Sequence, residues 1–248
     1  MSGHSKWHSI KHKKAAVDAK RGREFTRLIK EMTVAARIGG GDVGSNPRLR
    51  LAVEKAKAVN MPADNIKRAI MKGTGELPGQ SYEDVNYEGY GPGGVAMIIA
   101  TVTDNKNRTV AEIRHLLAKY GGNLGETNSV AWMFHRKGYL SLDRAAGSEE
   151  ELLEIVLEAG ADDLKADENS YEVICSAESF ENVKKAFEDR GKHAVTAEIT
   201  MIPQTEVHLE GKKAEQMIKL MEALEEHDDV QNVYANFDIS EAELQAAS

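Results

Sequence analysis

"VAMIIATVTDNKNRTVAEIRHLLAKYGG" occupies Val95–Gly122, and its two halves follow different periods. Val95–Asp104 is a branched, apolar run of strand length. From Arg108 onward, Val110, Ile113, Leu116 and Leu117 fall on one side at helical spacing, and Gly121 stands where a left-handed C-cap ends the helix. A second strand is expected in "NSVAWMFH" (128–135). The same order of strand, helix and strand recurs in "TEVHLE", "KKAEQMIKLMEALEEH" and "VQNVYANFDI", between residues 205 and 239. Two such units make a split βαβ, or ferredoxin-like, sandwich.

Residues 137–204 contain another complete set. "GYLSL" reads as a strand, "SEEELLEIVLEAG" as a helix, "DDLKA" and "SYEVICSA" as a strand pair, "SFENVKKAFEDRG" as a helix and "TAEITMIP" as a strand. That order is βαββαβ, and its place between the halves of the first sandwich marks it as an insertion.

Upstream the pattern is helical. In "AAVDAKRGREFTRLIKEMTVAAR" (15–37) Val17, Phe25, Leu28, Ile29, Met32, Ala35 and Ala36 line one side, with Gly22 as a break point. Lys13, Lys20, Arg23, Arg27, Lys30 and Arg37 lie opposite. "GGGDVGSNP" ends this helix, and Asn46-Pro47 supplies an N-cap and a first-turn proline for the next. Pro62 in "NMPADN" opens a third helix, for which Gly73 is the expected stop, and "KGTGELPGQS" reads as a linker. The fold class is therefore α+β in three domains. Residues 1–77 form a basic helical domain, 78–136 plus 205–248 a ferredoxin-like domain, and 137–204 an inserted βαββαβ domain.

Charge divides along the same line. Residues 1–75 carry 17 Lys or Arg against 6 Asp or Glu, a balance of +11, whereas the rest carry 15 against 34, a balance of −19. Such a split marks modules with separate partners; the alternative is that the basic part folds back onto the acidic body as intramolecular pairing, which screening makes weak for exposed pairs. With one cysteine, Cys175, the 248-residue chain has no internal disulfide framework or Cys-based zinc cluster. No segment approaches the ~18 apolar residues of a membrane span, and no apolar stretch follows the basic N-terminus as a secretory signal requires. A cytoplasmic protein is expected.

Several motifs reduce to structure. Gly89, Gly91 and Gly94 match GxGxxG, but the loop leads into a strand and contains Pro92, whereas a dinucleotide site must open a helix. It reads as a turn. His4, His8 and His12 lack further ligands for a metal shell, and "EEHDD" (225–229) reads as a solvated helix end. Cys175 in an alternating strand reads as core, and no nucleophile, base and orienting group stand at recognisable spacing. Neither a cofactor nor an enzymatic activity is expected, although a catalytic set assembled in space stays open as a third reading.

The basic N-terminus carries the functional expectation. Lys6, Lys11, Lys13 and Lys14 on the leading arm, and Lys20, Arg21, Arg23, Arg27 and Lys30 on the following helix, suit a phosphate backbone, which Lys and Arg bind through counterion release. Trp7 offers a face on which a base can stack. The expected partner is nucleic acid, either DNA or ribosomal RNA on the ribosome. Lys67 and Arg68, after the turn "NMPADN", form a weak helix-turn-helix pattern. No heptad seam or other dimer element accompanies it, so the oligomeric state stays open.

"GHSKWHSIKHKKAAVDAKRGREFTRLIKE" resembles the opening signature of the YebC/PmpR family. The likeness continues through "ARIGGGDVGSNPRLRLAVEKA", "NMPADNIKRAI", "YEGYGPGGVAMII" and "DNKNRTVAEIRHLLAKYGGNLG", covering much of the first 135 residues. The resemblance implies a cytoplasmic three-domain protein, and a role in transcription regulation as a DNA-binding regulator. Relatives that include the mitochondrial translational activator of cytochrome c oxidase imply the alternative, a ribosome-associated RNA-binding factor in translation regulation.

Overall fold

The computed structural model describes residues 17–167, 170–240 and Glu243, with side chains in the first helix described from Gly22 onward. The fold is α+β, a helical region followed by antiparallel sheets.

Helix α1 (Val17–Gly39) runs through Gly22 without a break, since a helical glycine in open surroundings costs only ~1 kcal/mol relative to Ala. Its apolar stripe, Leu28, Met32, Ala35 and Ala36, packs on α2 (Pro47–Ala58) and α3 (Ala63–Thr74) around Leu49, Val53 and Ile66. Burial of each larger side chain contributes ~1.5–3 kcal/mol. Asn46 caps α2 as expected, accepting from the Leu49 N–H at 3.0 Å. Its amide also donates to the Ala35 and Gly40 carbonyls, each at 2.8 Å, so one side chain joins the end of α1 to the start of α2.

Gly73 is not the stop of α3. The helix continues to Thr74, and Gly75 at φ +83° takes the left-handed cap. Gly73 lies where α3 crosses α1, and a Cβ there would sit 2.7 Å from Ala36 Cβ and press on the Thr33 carbonyl. Close helix approach, rather than termination, requires glycine.

The first sheet has the order β3-β1-β2-β9, from β1 (Glu83–Tyr90), β2 (Ala96–Thr103), β3 (Asn123–Leu124) and β9 (Val230–Ala235), with antiparallel neighbours. Helix α4 (Lys106–Lys119) crosses from β2 to β3 over the intervening β1, a split βαβ. With α7 (Gly211–Glu226) it buries Met97, Ile99, Ile113, Leu117, Met217 and Leu224. The glycine loop is the β1–β2 turn, closed by Gly91 N–H to the Val95 carbonyl at 2.8 Å. Gly93 and Gly94 take φ of 78° and 83° there, which only glycine tolerates readily. As expected, it opens no helix.

Two expected strands differ. "TEVHLE" contributes only β8 (Val207–His208), which pairs in parallel with β10 (Phe237–Asp238) as a separate ribbon. "NSVAWMFH" is mostly not extended: Ala131–Met133 is a 3₁₀ turn, and extended structure starts at Phe134 in the other sheet. The cause is Glu88, whose buried carboxylate accepts the N–H groups of Asn128 (2.6 Å), Val130 (2.8 Å) and Ala131 (2.7 Å). Backbone donors held by a carboxylate are lost to a ladder.

The second sheet, β5-β6-β4-β7, is assembled from β4 (Phe134–Asp143), β5 (Asp163–Ala166), β6 (Ser170–Ser176) and β7 (Thr196–Pro203). Helices α5 (Glu149–Ala159) and α6 (Phe180–Asp189) complete the βαββαβ order and pack with Leu140, Leu142, Val173 and the buried Cys175.

Candidate nucleic-acid interface

Lys6, Trp7, Lys11, Lys13 and Lys14 lie outside the described residues, as do the side chains of Lys20 and Arg21. Arg23, Arg27 and Lys30 are described, and they do not form an open basic face. All three turn toward the end of α7 and the loop after it.

Lys30 is only 7% exposed. Its ammonium donates to Asp229 Oδ1 at 2.7 Å and to the Asp228 carbonyl at 2.9 Å. The second Asp229 oxygen accepts from Thr109 at 2.7 Å, Arg108 at 2.8 Å and Thr103 at 3.1 Å. Burial pushes this carboxyl up, but the Lys30, Arg108 and Thr109 donors outweigh it and hold the group well below the usual carboxylate range. "EEHDD" is thus no solvated helix end at its last residue: Asp229 is 2% exposed and fully engaged. Amphipathic spacing placed Lys30 opposite the core of its own three helices, and the neighbouring sheet unit covers that side.

The other two cations are held less completely. Arg23 meets Glu226 at 3.3 Å in an exposed pair, a kind that contributes little. Arg27 is half-buried, and its Nε and Nη2 have no hydrogen-bond acceptor. Desolvation lowers its pKa, opposed by the nearby Glu225. Arg48, which spacing did not single out, forks between Glu31 of α1 (2.7 and 2.9 Å) and Asp84 of β1 (2.7 and 2.8 Å). Those bonds raise its pKa. Together these contacts clamp the helical unit to the first sheet.

A polar cleft of about 710 Å³ follows this junction, with Arg23, Lys30, Tyr82, Arg108 and His227 on its walls. Glu112, His227 and Asp229 converge there as potential metal ligands. His227 is already bonded at both nitrogens, to Glu112 at 2.8 Å and to the Asp229 N–H at 3.1 Å, and four donors occupy Asp229. The trio reads as a hydrogen-bonded network rather than an open coordination site.

Unpaired basic charge remains elsewhere on the helical unit. Arg50, Lys55 and Lys57 on α2 and Lys67, Arg68 and Lys72 on α3 are exposed, and among the described residues none forms an ion pair. Asn60, at φ 58°, turns the chain between the two helices. The pattern around "NMPADN" pointed to Lys67 and Arg68. Lys55, Lys57 and Lys72 stood out only as part of the overall basic balance.

Fold and interface together define a class: α+β proteins in which a basic helical unit is clamped by ion pairs to an acidic two-sheet body. The chain belongs to the TACO1/YebC family. Residues 5–76 match the family's N-terminal domain, and residues 82–237 its second and third domains. A "probable transcriptional regulatory protein" of Geobacter sulfurreducens is 60% identical over 99% of both chains. One of the same description from Syntrophobacter fumaroxidans is 59% identical over 96% of each. The crystal structure of a conserved hypothetical protein from Aquifex aeolicus superposes with a TM-score of 0.79 at 48% identity, covering 92% of this chain and 94% of that one. No helix among the described residues is long and apolar enough to cross a membrane.

Proposed function

We propose that the protein is a non-enzymatic regulator of gene expression that binds DNA through its basic helical unit and acts on transcription. The observation carrying this reading is the unpaired basic charge of α2 and α3. The acidic body engages Lys30, Arg23 and Arg48, yet Arg50, Lys55, Lys57, Lys67, Arg68 and Lys72 remain in solvent. Lys6, Lys11, Lys13, Lys14, Lys20 and Arg21 add to that charge, and Trp7 adds a stacking face. Lys30 stays out of the set because its ammonium is engaged. The names borne by the relatives support the regulatory role.

The division into residues 1–77, 78–136 plus 205–248, and 137–204 belongs to the same proposal, with phosphate affinity in the first part. Crosslinking in cells, followed by sequencing of attached DNA and RNA, tests the function. Enrichment of a shared promoter motif over random DNA supports it. Recovery of ribosomal RNA without such a motif would reject it in favour of translation.

A further inference from the structure

Residues Thr127–Leu142 contain no carboxylate, within a body that otherwise has more than twice as many acidic as basic residues. Trp132 lies in this stretch and is 66% exposed. The other large exposed hydrophobics among the described residues, Ile38, Leu51, Leu153, Leu157, Val195 and Ile199, are aliphatic.

The loop presenting Trp132 is held from several sides. Glu88 binds three of its N–H groups, and Asn128 takes φ 65° to bring them round. The Ser129 carbonyl accepts from the indole N–H at 3.2 Å and from the Tyr90 hydroxyl at 3.3 Å. The Gln204 amide reaches the Trp132 carbonyl at 3.4 Å and contacts the His135 ring. The indole is therefore oriented through its N–H while most of its surface stays in water. His135 and Arg136 follow it, both exposed, and Arg136 forms no ion pair among the described residues.

We propose that Trp132 is a stacking platform for an unpaired base of a nucleic-acid strand, with Arg136 meeting the adjoining phosphate. A fixed aromatic face followed four positions later by an exposed arginine with no ion pair among the described residues suits a base on its sugar–phosphate chain, because every base presents a π-face and the backbone requires positive charge. The site is separate from α2 and α3, and its assignment rests on the nucleic-acid-binding reading above.

The test measures affinity of the full chain for a duplex and for single-stranded oligonucleotides of DNA and RNA, using W132A, W132F and R136Q. W132A should lose about tenfold in single-strand affinity, W132F should retain most of it, and R136Q should lower the salt slope by about one phosphate equivalent. Duplex affinity should not change. Equal losses on DNA and RNA assign the contact to the base, and a loss confined to one strand type identifies the source; both support the proposal. Unaltered single-strand affinity in W132A overturns it, as do equal losses in W132A and W132F. A change in self-association with no change in oligonucleotide binding gives the ring to a second copy and also overturns it. If duplex binds but single strand does not, this inference alone fails; if neither binds, the proposed function fails with it.

Discussion

Lys30 and Asp229 are 199 positions apart and meet in a buried ion pair of 2.7 Å. One sits on α1 and the other just after α7. Asp229 also draws in Arg108, Thr103 and Thr109 through its carboxylate and the Val102 N–H through its carbonyl. A single aspartate thereby fastens the basic helical unit to the first sheet. Desolvating both charges is expensive, and the arrangement persists because the charge and lone pairs are compensated on every side.

Asp229→Ala should be among the most destabilising substitutions at this junction. It strands the Lys30 ammonium and removes acceptors from Arg108, and breaking a buried pair costs about 3–5 kcal/mol. Glu226→Ala, which removes only the exposed partner of Arg23, should cost under ~1 kcal/mol. Urea unfolding midpoints compare the two; equal shifts would show that the Lys30–Asp229 pair is not compensated as described.

Acid should weaken this junction and also the loop that Glu88 holds. Asp229 and Glu88 both have folded pKa values below their ordinary ones: burial raises each, and donors overcome it, Lys30 first for Asp229 and the Val130 N–H first for Glu88. A depressed carboxylate stabilises the fold above its unfolded value, about 4, and loses that contribution as pH falls toward the folded value. Thermal midpoints should be flat from neutral pH to about 5 and fall below about 4. Asp229→Asn should start lower and fall less steeply.

Two helical glycines should respond oppositely to alanine. Gly22 is exposed, and the space a methyl would take there is open, with no other atom within 4 Å, so Gly22→Ala should raise stability by up to ~1 kcal/mol. At Gly73 a methyl meets Ala36 and the Thr33 carbonyl, so Gly73→Ala should lower it by about 1–3 kcal/mol despite better propensity. Shifts of the same sign in a denaturation series would contradict the close crossing of α1 and α3.

Duplex binding should depend on the exposed cations and not on the buried one. Neutralising Lys67, Arg68 and Lys72 should flatten the plot of log affinity against log salt by about 0.9 for each side chain that meets a phosphate. Lys30→Ala should leave that slope unchanged while lowering stability. A flattened slope in the Lys30 variant would place its ammonium on the nucleic acid after all.

What the sequence determined by itself is what depends on local period and composition. The stripe from Leu28 to Ala36, the Asn46 cap, the βαββαβ order of the second sheet and the concentration of positive charge in the first 75 residues were all readable. These follow from neighbours a few positions apart, where helical and strand spacing act directly. Tertiary structure alone decided which cations are free. Helical spacing put Lys30 with Arg23 and Arg27, but a second unit brings Asp229 to it from 199 positions away. Glu88 was assigned to no element by the sequence, and only the fold brings the loop N–H groups of Asn128, Val130 and Ala131 onto its carboxylate, turning an expected strand into a turn. Periodicity reports which side of an element is apolar; it carries no information about which distant charge will be desolvated against that element's polar side.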